Sequence, residues 1–283
     1  MDFWLTWIDE DIEQTLEVAR LAEAAGYRGI ALADHVAVPV SFESAHPSGG
    51  PTPFDHRTDF PDPLITAALI LGATERLEVM TYVYVLPMRE PFSVASQVAS
   101  LAAFAPGRFR FGVGAGWLQE EVRTLGHTVR ARGRRMDEMI EILRGFWSQE
   151  AFAYHGEFFD FPPTGVAPRP PEPVPIWVGG KSAAALARAA RNDGWLGMNY
   201  DLPEAHALLE ALDEAKRDAG TGDGFETFLI ANAPPSADLY ADLAARGVCS
   251  TVGAAWGYAD RAFAALPAKR EAIARFADTF IRA

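Results

Sequence analysis

The chain has 283 residues, 49% hydrophobic and 22% charged, a composition that suits one large domain with a substantial core. Its formal net charge of −13 argues against a nucleic-acid or anionic-membrane partner. A single cysteine, Cys249, excludes an internal disulfide framework and fits a reducing cytoplasm, and neither a basic-then-apolar leader nor an apolar run of membrane length is present.

In chain order, Asp2–Ile8 reads as a strand of large residues. Asp9–Ala25 reads as a helix, with Ile12, Leu16 and Ala19 joined by Leu21 and Ala22 in the periodic set, ended by Gly26. Arg28–Ala33 is a second strand that delivers Asp34 and His35 at its tip. Val36–Pro61 follows, a proline- and glycine-rich stretch carrying Phe42, His46, Phe54, His56 and Arg57. A loop this long inside a domain is expected to be a lid or a binding loop. Asp62 caps a helix that Pro63 opens, Leu77–Leu86 is a third strand, and Pro91 opens the next helix.

The centre of the chain is the stretch 106–147. Arg108–Val113 alternates polar and apolar residues and then breaks into glycines. Gly112, Gly114 and Gly116 remove side chains where a strand tip would face a ligand, so backbone can approach a flat ring or a phosphate; a ligand-free turn is the plainer alternative. From Arg132 onward, Met136, Ile140, Leu143 and Trp147 mark the buried face of a helix. A dinucleotide fingerprint would need an acid about 20 residues beyond the glycines, and that distance falls in the basic stretch 132–135.

Ala151–Phe161 reads as an inserted hairpin turning at His155-Gly156, followed by a proline-heavy surface excursion. The strand–helix rhythm then resumes. Strand Pro175–Val178 is tipped by Gly179 and Gly180, Ser182 caps a helix, and Asp193–Tyr200 and Pro203–Ala219 form the next pair. Phe225–Ala231, a helix from Ser236 to Arg246, Val248–Val252 and Tyr258–Ile281 complete the chain. About eight such units predict a single (β/α)8 TIM barrel, with a long loop after strand 2 and a hairpin after helix 4; a doubly wound open sheet is the rival. In a barrel, function sits at the C-terminal ends of the strands.

The residues at those ends exclude several chemistries. A zinc hydrolase needs clustered histidines, but strand one carries Trp4 and Trp7, and His46, His56, His127 and His206 read as surface residues; no metal site is expected. A Schiff-base enzyme needs a strand-end lysine, and Lys181, Lys216 and Lys269 lie off the strands. A serine hydrolase needs a nucleophile elbow, which is missing. Cys249, in a β-like run, reads as a structural thiol. What remains is an aromatic mouth of Trp7, Phe42, Phe54, Tyr82, Trp117, Tyr200 and Trp256 beside His35, suited to a flat heterocycle. The turn Gly179-Gly180-Lys181-Ser182 combines backbone N–H groups, a helix N-terminus and a cation. It is either a phosphate seat or an ordinary βα turn with a serine cap.

The segments ALADHV, TYVYVLPMREP, GRFRFGVGAGWLQEE, RMDE, YHGEFFDF and PIWVGGKS with ALARAARNDGW jointly resemble the luciferase-like oxidoreductases, the bacterial luciferase superfamily. The likeness in motifs runs to about residue 200, and beyond that only the βα rhythm continues it. It implies one barrel domain over 1–283, a ring system bound in the mouth, a homodimer, and either coenzyme F420 or reduced FMN as cofactor. By the resemblance, Asp34 and His35 match the pair beside the ring in deazaflavin users, and Tyr82-Val83 matches a strand-three bulge, often with a non-prolyl cis peptide, that backs the ring. Ala115, Gly116 and Trp117 match a loop that contacts the ring, and Gly179, Gly180, Lys181 and Ser182 the phosphate side. Trp117 stands where the family's sugar-phosphate dehydrogenases carry glutamate, which points to an apolar or aromatic substrate.

Three functions follow. The first is hydride transfer with coenzyme F420, His35 acting as catalytic proton donor or acceptor. An arginine-rich, lysine-poor composition of the actinobacterial kind favours it, as do Lys181 and Arg57 as partners for an anionic tail. The second is a reduced-FMN monooxygenase served by a separate flavin reductase. The third is a non-catalytic flavin-binding relative. For His35, a structural histidine bonded to strand backbone is the plain alternative.

Overall fold

The computed structural model describes residues 1–7, 11–47, 49, 51–253, 256 and 264–282. Eight parallel strand positions close on themselves. They are β1 (Asp2–Trp7), β2 (Gly29–Leu32), β3 (Glu78–Thr81) with its continuation β4 (Tyr84–Val85), β5 (Phe109–Gly114), β8 (Ile176–Gly179), β9 (Gly194–Tyr200), β10 (Glu226–Ala231) and β11 (Ser250–Val252). β11 pairs back onto β1 with Asp2 opposite Ser250, and β3 pairs with β5 across Val79 and Phe109, so the sheet is a barrel and not an open doubly wound sheet. The antiparallel pair β6 (Phe152–His155) and β7 (Asp160–Thr164) stands apart as the hairpin.

Side-chain alternation splits the core in two. Trp4, Ala31, Met80, Trp177, Leu196 and Phe228 point inward and fill the barrel, with the Trp4 and Trp177 rings edge to face at 6.3 Å. Both indoles are fully buried, and truncating either to alanine would cost about 3–5 kcal/mol. Phe3, Leu5, Trp7, Ile30, Val79, Phe111, Ile176 and Leu229 point outward against the helices. Those helices are α1 (Thr15–Ala25), α2 (Pro63–Ala73), α3 (Pro91–Phe104), α5 (Arg132–Ser148), α6 (Ala183–Ala190), α7 (Leu202–Ala219), α8 (Ala237–Ala245) and α9 (Leu266–Phe280). The expected caps are present: Asp62 accepts from the amides of Leu64 and Ile65, Ser182 from Ala185, Ser236 from Leu239, and Gly26 closes α1 at φ 92°.

Four local readings change. Strand three is split into Glu78–Thr81 and Tyr84–Val85, and the Tyr82–Val83 peptide between them is cis, as the family resemblance implied and the apolar pattern did not. The hairpin turn spans residues 156–159 and is not the pair His155-Gly156. The Glu138 carboxylate accepts from the amides of Glu157, Phe158 and Phe159 at 2.6, 3.0 and 3.2 Å and so shapes a longer turn. A short helix α4 (Gln119–Thr124) occupies the excursion after β5. The first helix opens with a 3-10 turn at Ile12–Gln14, while its expected start at residues 9 and 10, the strand end at Ile8 and the start of the last helix at 258 lie outside the described residues.

Candidate functional site

All eight strand positions run parallel, so Asp34, Tyr82, Trp117 and Gly180 lie at one end of the barrel, the C-terminal end. The glycines of the central stretch have a different use there from the one expected. A Cβ on Gly112 would sit 1.9 Å from the Thr81 carbonyl oxygen. One on Gly114 would sit 2.5 Å from a Val83 methyl, one on Gly179 2.7 Å from the other Val83 methyl, and one on Gly116 2.6 Å from Val85. The missing side chains therefore make room for the β3–β4 bulge and not for a ligand. Val83 seats between β5 and β8, and with Tyr82 and Ile230 it packs on the inward cluster as an apolar floor at the top of the barrel. The Tyr82 hydroxyl donates to the Gly197 carbonyl at 2.6 Å; burial pushes the phenol pKa well above its ordinary range, so it stays a neutral donor.

Asp34 is committed to the scaffold. Its fully buried carboxylate accepts from the Val85 amide at 2.7 Å and from the Arg89 guanidinium at 2.6 Å. Burial works against the charge on Arg89, but Asp34 and Tyr84 overcome it and hold its pKa above the ordinary value, and the guanidinium lies 4.4 Å over the Tyr84 ring. This pair ties the tip of β2 to the far side of the bulge.

His35 turns the other way. Its Nδ1 lies 2.7 Å from Glu121 Oε2, and the two side chains are only 8% and 2% exposed. The other Glu121 oxygen accepts from the amides of Val36 and Ala37 at 2.6 and 3.0 Å. Burial pushes the Glu121 carboxyl up, but His35 and the two amides outweigh it and hold its pKa below the ordinary carboxylate value. Around the imidazole stand Phe54 and Phe60, each 4.8 Å away by ring centroids, and Trp117 at 6.0 Å. Phe42 and His46 add to the Trp117 side at 6.1 and 5.0 Å, so His46 is part of this cluster and not a surface residue. The described residues of the loop, Phe42, His46, Phe54 and Phe60 among them, thus fold onto the mouth. The neighbouring Glu120 holds the loop there, accepting from the Ser44 hydroxyl at 2.6 Å and from the Glu43 amide at 3.2 Å.

Other expected residues go elsewhere. Lys181 pairs with Glu204 at 2.7 Å, the Gly180 carbonyl accepts from the Trp195 indole, and the Ser182 hydroxyl caps α6; the turn remains exposed at 181–184. Arg57 is exposed and lies 3.9 Å from Asp55. Trp7 and Tyr200 join the outward core and so are not mouth residues, while Trp256 is partly buried against that core. Ala115 and Gly116 are half-buried at the β5 tip, and the Gly116 carbonyl accepts from Arg132 at 3.2 Å. The residues that sequence reasoning missed are Glu121, Glu120 and Arg89. Their only signal is position: two acids one turn beyond a strand-tip tryptophan, and an arginine just before the proline that opens α3.

An apolar floor at Val83, an aromatic wall and the buried His35 imidazole supply face contact, edge contact and a polar handle. Those are contacts that a planar heteroaromatic ring can use.

Residues 5–277 match the family model for luciferase-like monooxygenases. A Mycobacterium tuberculosis protein, Rv0940c, is 37% identical over 217 residues, covering 76% of this chain and 75% of its own. An FMNH(2)-dependent dimethylsulfone monooxygenase of Pseudomonas fluorescens is 29% identical over 79% of this chain and 58% of its own. Among solved structures, the monooxygenase RslO1 of Streptomyces bottropensis superposes with a TM-score of 0.67 at 20% identity, over 87% of this chain and 75% of its own. An F420-dependent secondary alcohol dehydrogenase does so at 0.66 and 21% identity, over 81% and 67%. These two superpositions speak for the fold.

Proposed function

The chain belongs to the luciferase-like monooxygenase family, and from that premise we propose that it is an oxidoreductase passing a hydride between coenzyme F420 and a small apolar or aromatic substrate. The observation that carries this reading is the buried His35–Glu121 pair set into an aromatic wall above the Val83 floor. When bound, the deazaflavin supplies a hydride acceptor or donor. The chain's own residues do the rest. Val83 and Tyr82 support the ring, Trp117, Phe54 and Phe60 exclude water and select an apolar substrate, and His35 takes or returns the substrate proton that accompanies the hydride. Asp34 acts through Arg89 and Val85 to fix the bulge, and the exposed turn Gly179–Ser182 would hold the cofactor's anionic side. One domain holds the whole site.

A second reading, reduced-FMN monooxygenation with a separate reductase, is favoured by the closed aromatic loop and by the FMNH(2)-dependent relative. Fluorescence titrations of cofactor-free protein decide between them. Saturable F420 binding is expected, and tight FMN binding without detectable F420 binding would move the assignment to the second reading.

The homodimer belongs to the same proposal. Helix α2 is apolar around its whole circumference, with Ile65 and Leu69 66% and 57% exposed, and Phe104 at the end of α3 is 89% exposed. Leu69→Lys is expected to shift the protein from dimer to monomer in sedimentation; an unchanged profile would remove this face from the interface.

A further inference from the structure

We propose, on the reading of the mouth given above, that Glu121 is a positioning residue that sets the tautomer of His35, holding the proton on Nδ1 and leaving Nε2 as the acceptor. The acid is placed so that it both anchors the loop and faces the imidazole. It is 2% exposed by side chain, and it sits in a six-residue helix with no side-chain cap. Each of its oxygens has a separate task. Oε1 takes the amides of Val36 and Ala37, and Oε2 faces Nδ1 alone. An ionised carboxylate only accepts, so a neutral imidazole bonded to it must carry its hydrogen on Nδ1. No described residue hydrogen-bonds to Nε2.

The other charged or titratable groups near the ring are Asp34, held by Arg89, and His46 on the loop, whose pKa is lowered by burial and by His35. None of these competes with Glu121 for Nδ1. In a hydride transfer, Nε2 is then the atom that takes the proton leaving the substrate, and no ring flip is needed. Trp117 stands where the family's sugar-phosphate dehydrogenases carry glutamate, so this chain lacks that acid. A different carboxylate, Glu121, lies one helical turn later and is bonded to the histidine.

The glutamine variant tests this sharply. A carboxylate accepts on both oxygens, but an amide accepts on one only. In Glu121→Gln the two backbone amides claim the single carbonyl oxygen. The NH2 group must then face Nδ1, which becomes an acceptor, and the ring proton moves to Nε2. The measurement is long-range 1H–15N correlation of labelled imidazoles in cofactor-free protein at a pH where the ring is neutral, with the His35 signals identified by their loss in His35→Asn. Wild type is expected to show protonated Nδ1 and bare Nε2, and Glu121→Gln the reverse. Hydrogen exchange at Val36 and Ala37 should stay slow in Glu121→Gln and become fast in Glu121→Ala, which separates tautomer control from loop anchoring. A wild-type ring protonated on Nε2, or a glutamine variant with the wild-type pattern, would overturn the proposal. Because no cofactor is present, failure to bind F420 or FMN would refute the function proposed above and leave this result standing.

Discussion

The two ends of the barrel use their charges in different ways. At the N-terminal end one guanidinium is shared: Arg28 meets Asp2 and Glu226 at 2.9 Å each, Glu78 at 3.3 Å and the Ser250 hydroxyl at 3.3 Å, and Arg110 meets Glu78 at 2.7 Å. Arg28 and Arg110 also lie over the Trp4 and Trp177 rings that plug the interior. The network joins strand starts to one another and closes that end. At the C-terminal end the polar groups work in separate pairs, and two of these, Asp34 with Arg89 and His35 with Glu121, each tie a strand tip to a following connection. Between them lies the aromatic mouth. Stitching strands together serves stability, whereas pinning loops around an opening serves a site, and the two ends should respond to mutation accordingly.

The largest expected effect is at the open end. His35→Asn should lower turnover by about 10²- to 10⁴-fold. Urea unfolding should move by only about 1 kcal/mol, since one hydrogen bond is exchanged. Full turnover in this variant would make His35 as structural as Arg28 and erase the contrast. At the closed end the pattern should invert. Arg28→Met leaves Glu78 and Glu226 without their shared cation, which should cost about 3 kcal/mol in urea unfolding. Turnover per folded molecule should stay at the wild-type level; a parallel loss of activity would mean that the two ends are coupled.

A third variant sharpens where the site begins. Gly114→Ala should destabilise by about 1–3 kcal/mol through overpacking against Val83, and adding Val83→Ala should recover most of the loss. If Gly114→Ala instead left stability intact and abolished cofactor binding, the glycine would face the ligand after all.

That variant also marks how far the sequence could be read. The barrel was legible because its signals are local: Asp62, Ser182 and Ser236 cap helices where expected, and apolar strands alternate with periodic helices. The glycine string was visible, but its cause was not, since sequence does not tell which neighbour fills the space; Thr81, Val83 and Val85 do. His35 and Trp117 stood out as strand-tip residues and do meet. Asp34 stood out equally and serves the scaffold. Glu121 was illegible because acids in a first helical turn suit the helix dipole anywhere, and α4 is too short to show periodicity. Trp7 was misplaced by a single step of alternation, which carries it to the outer core.

The smallest expected effect compares one carboxylate at each end. Glu23, at the closed end, accepts from the amides of Glu75, Arg76 and Leu77 at 2.9, 2.6 and 2.9 Å, as Glu121 does from Val36 and Ala37 at the open end. In both, burial raises the pKa and is outweighed. At Glu23 the amides do this, and at Glu121 His35 does it together with the amides, so both lie below the ordinary value of 4.5. A carboxyl lowered in this way contributes stability that is fully present above its unfolded value. That stability is lost as the pH falls through the folded value. Wild-type unfolding free energy should therefore hold from neutral pH down to about 5 and decline below it. Glu23→Gln and Glu121→Gln should each start less stable at pH 7 and lose less on acidification. Glu121 is the more buried, so its variant should show the flatter acid limb. Only Glu121→Gln should also change turnover, because Glu23 pins a loop that no substrate approaches. An acid limb that neither substitution alters would place the acid sensitivity in other carboxylates and remove this last symmetry between the ends.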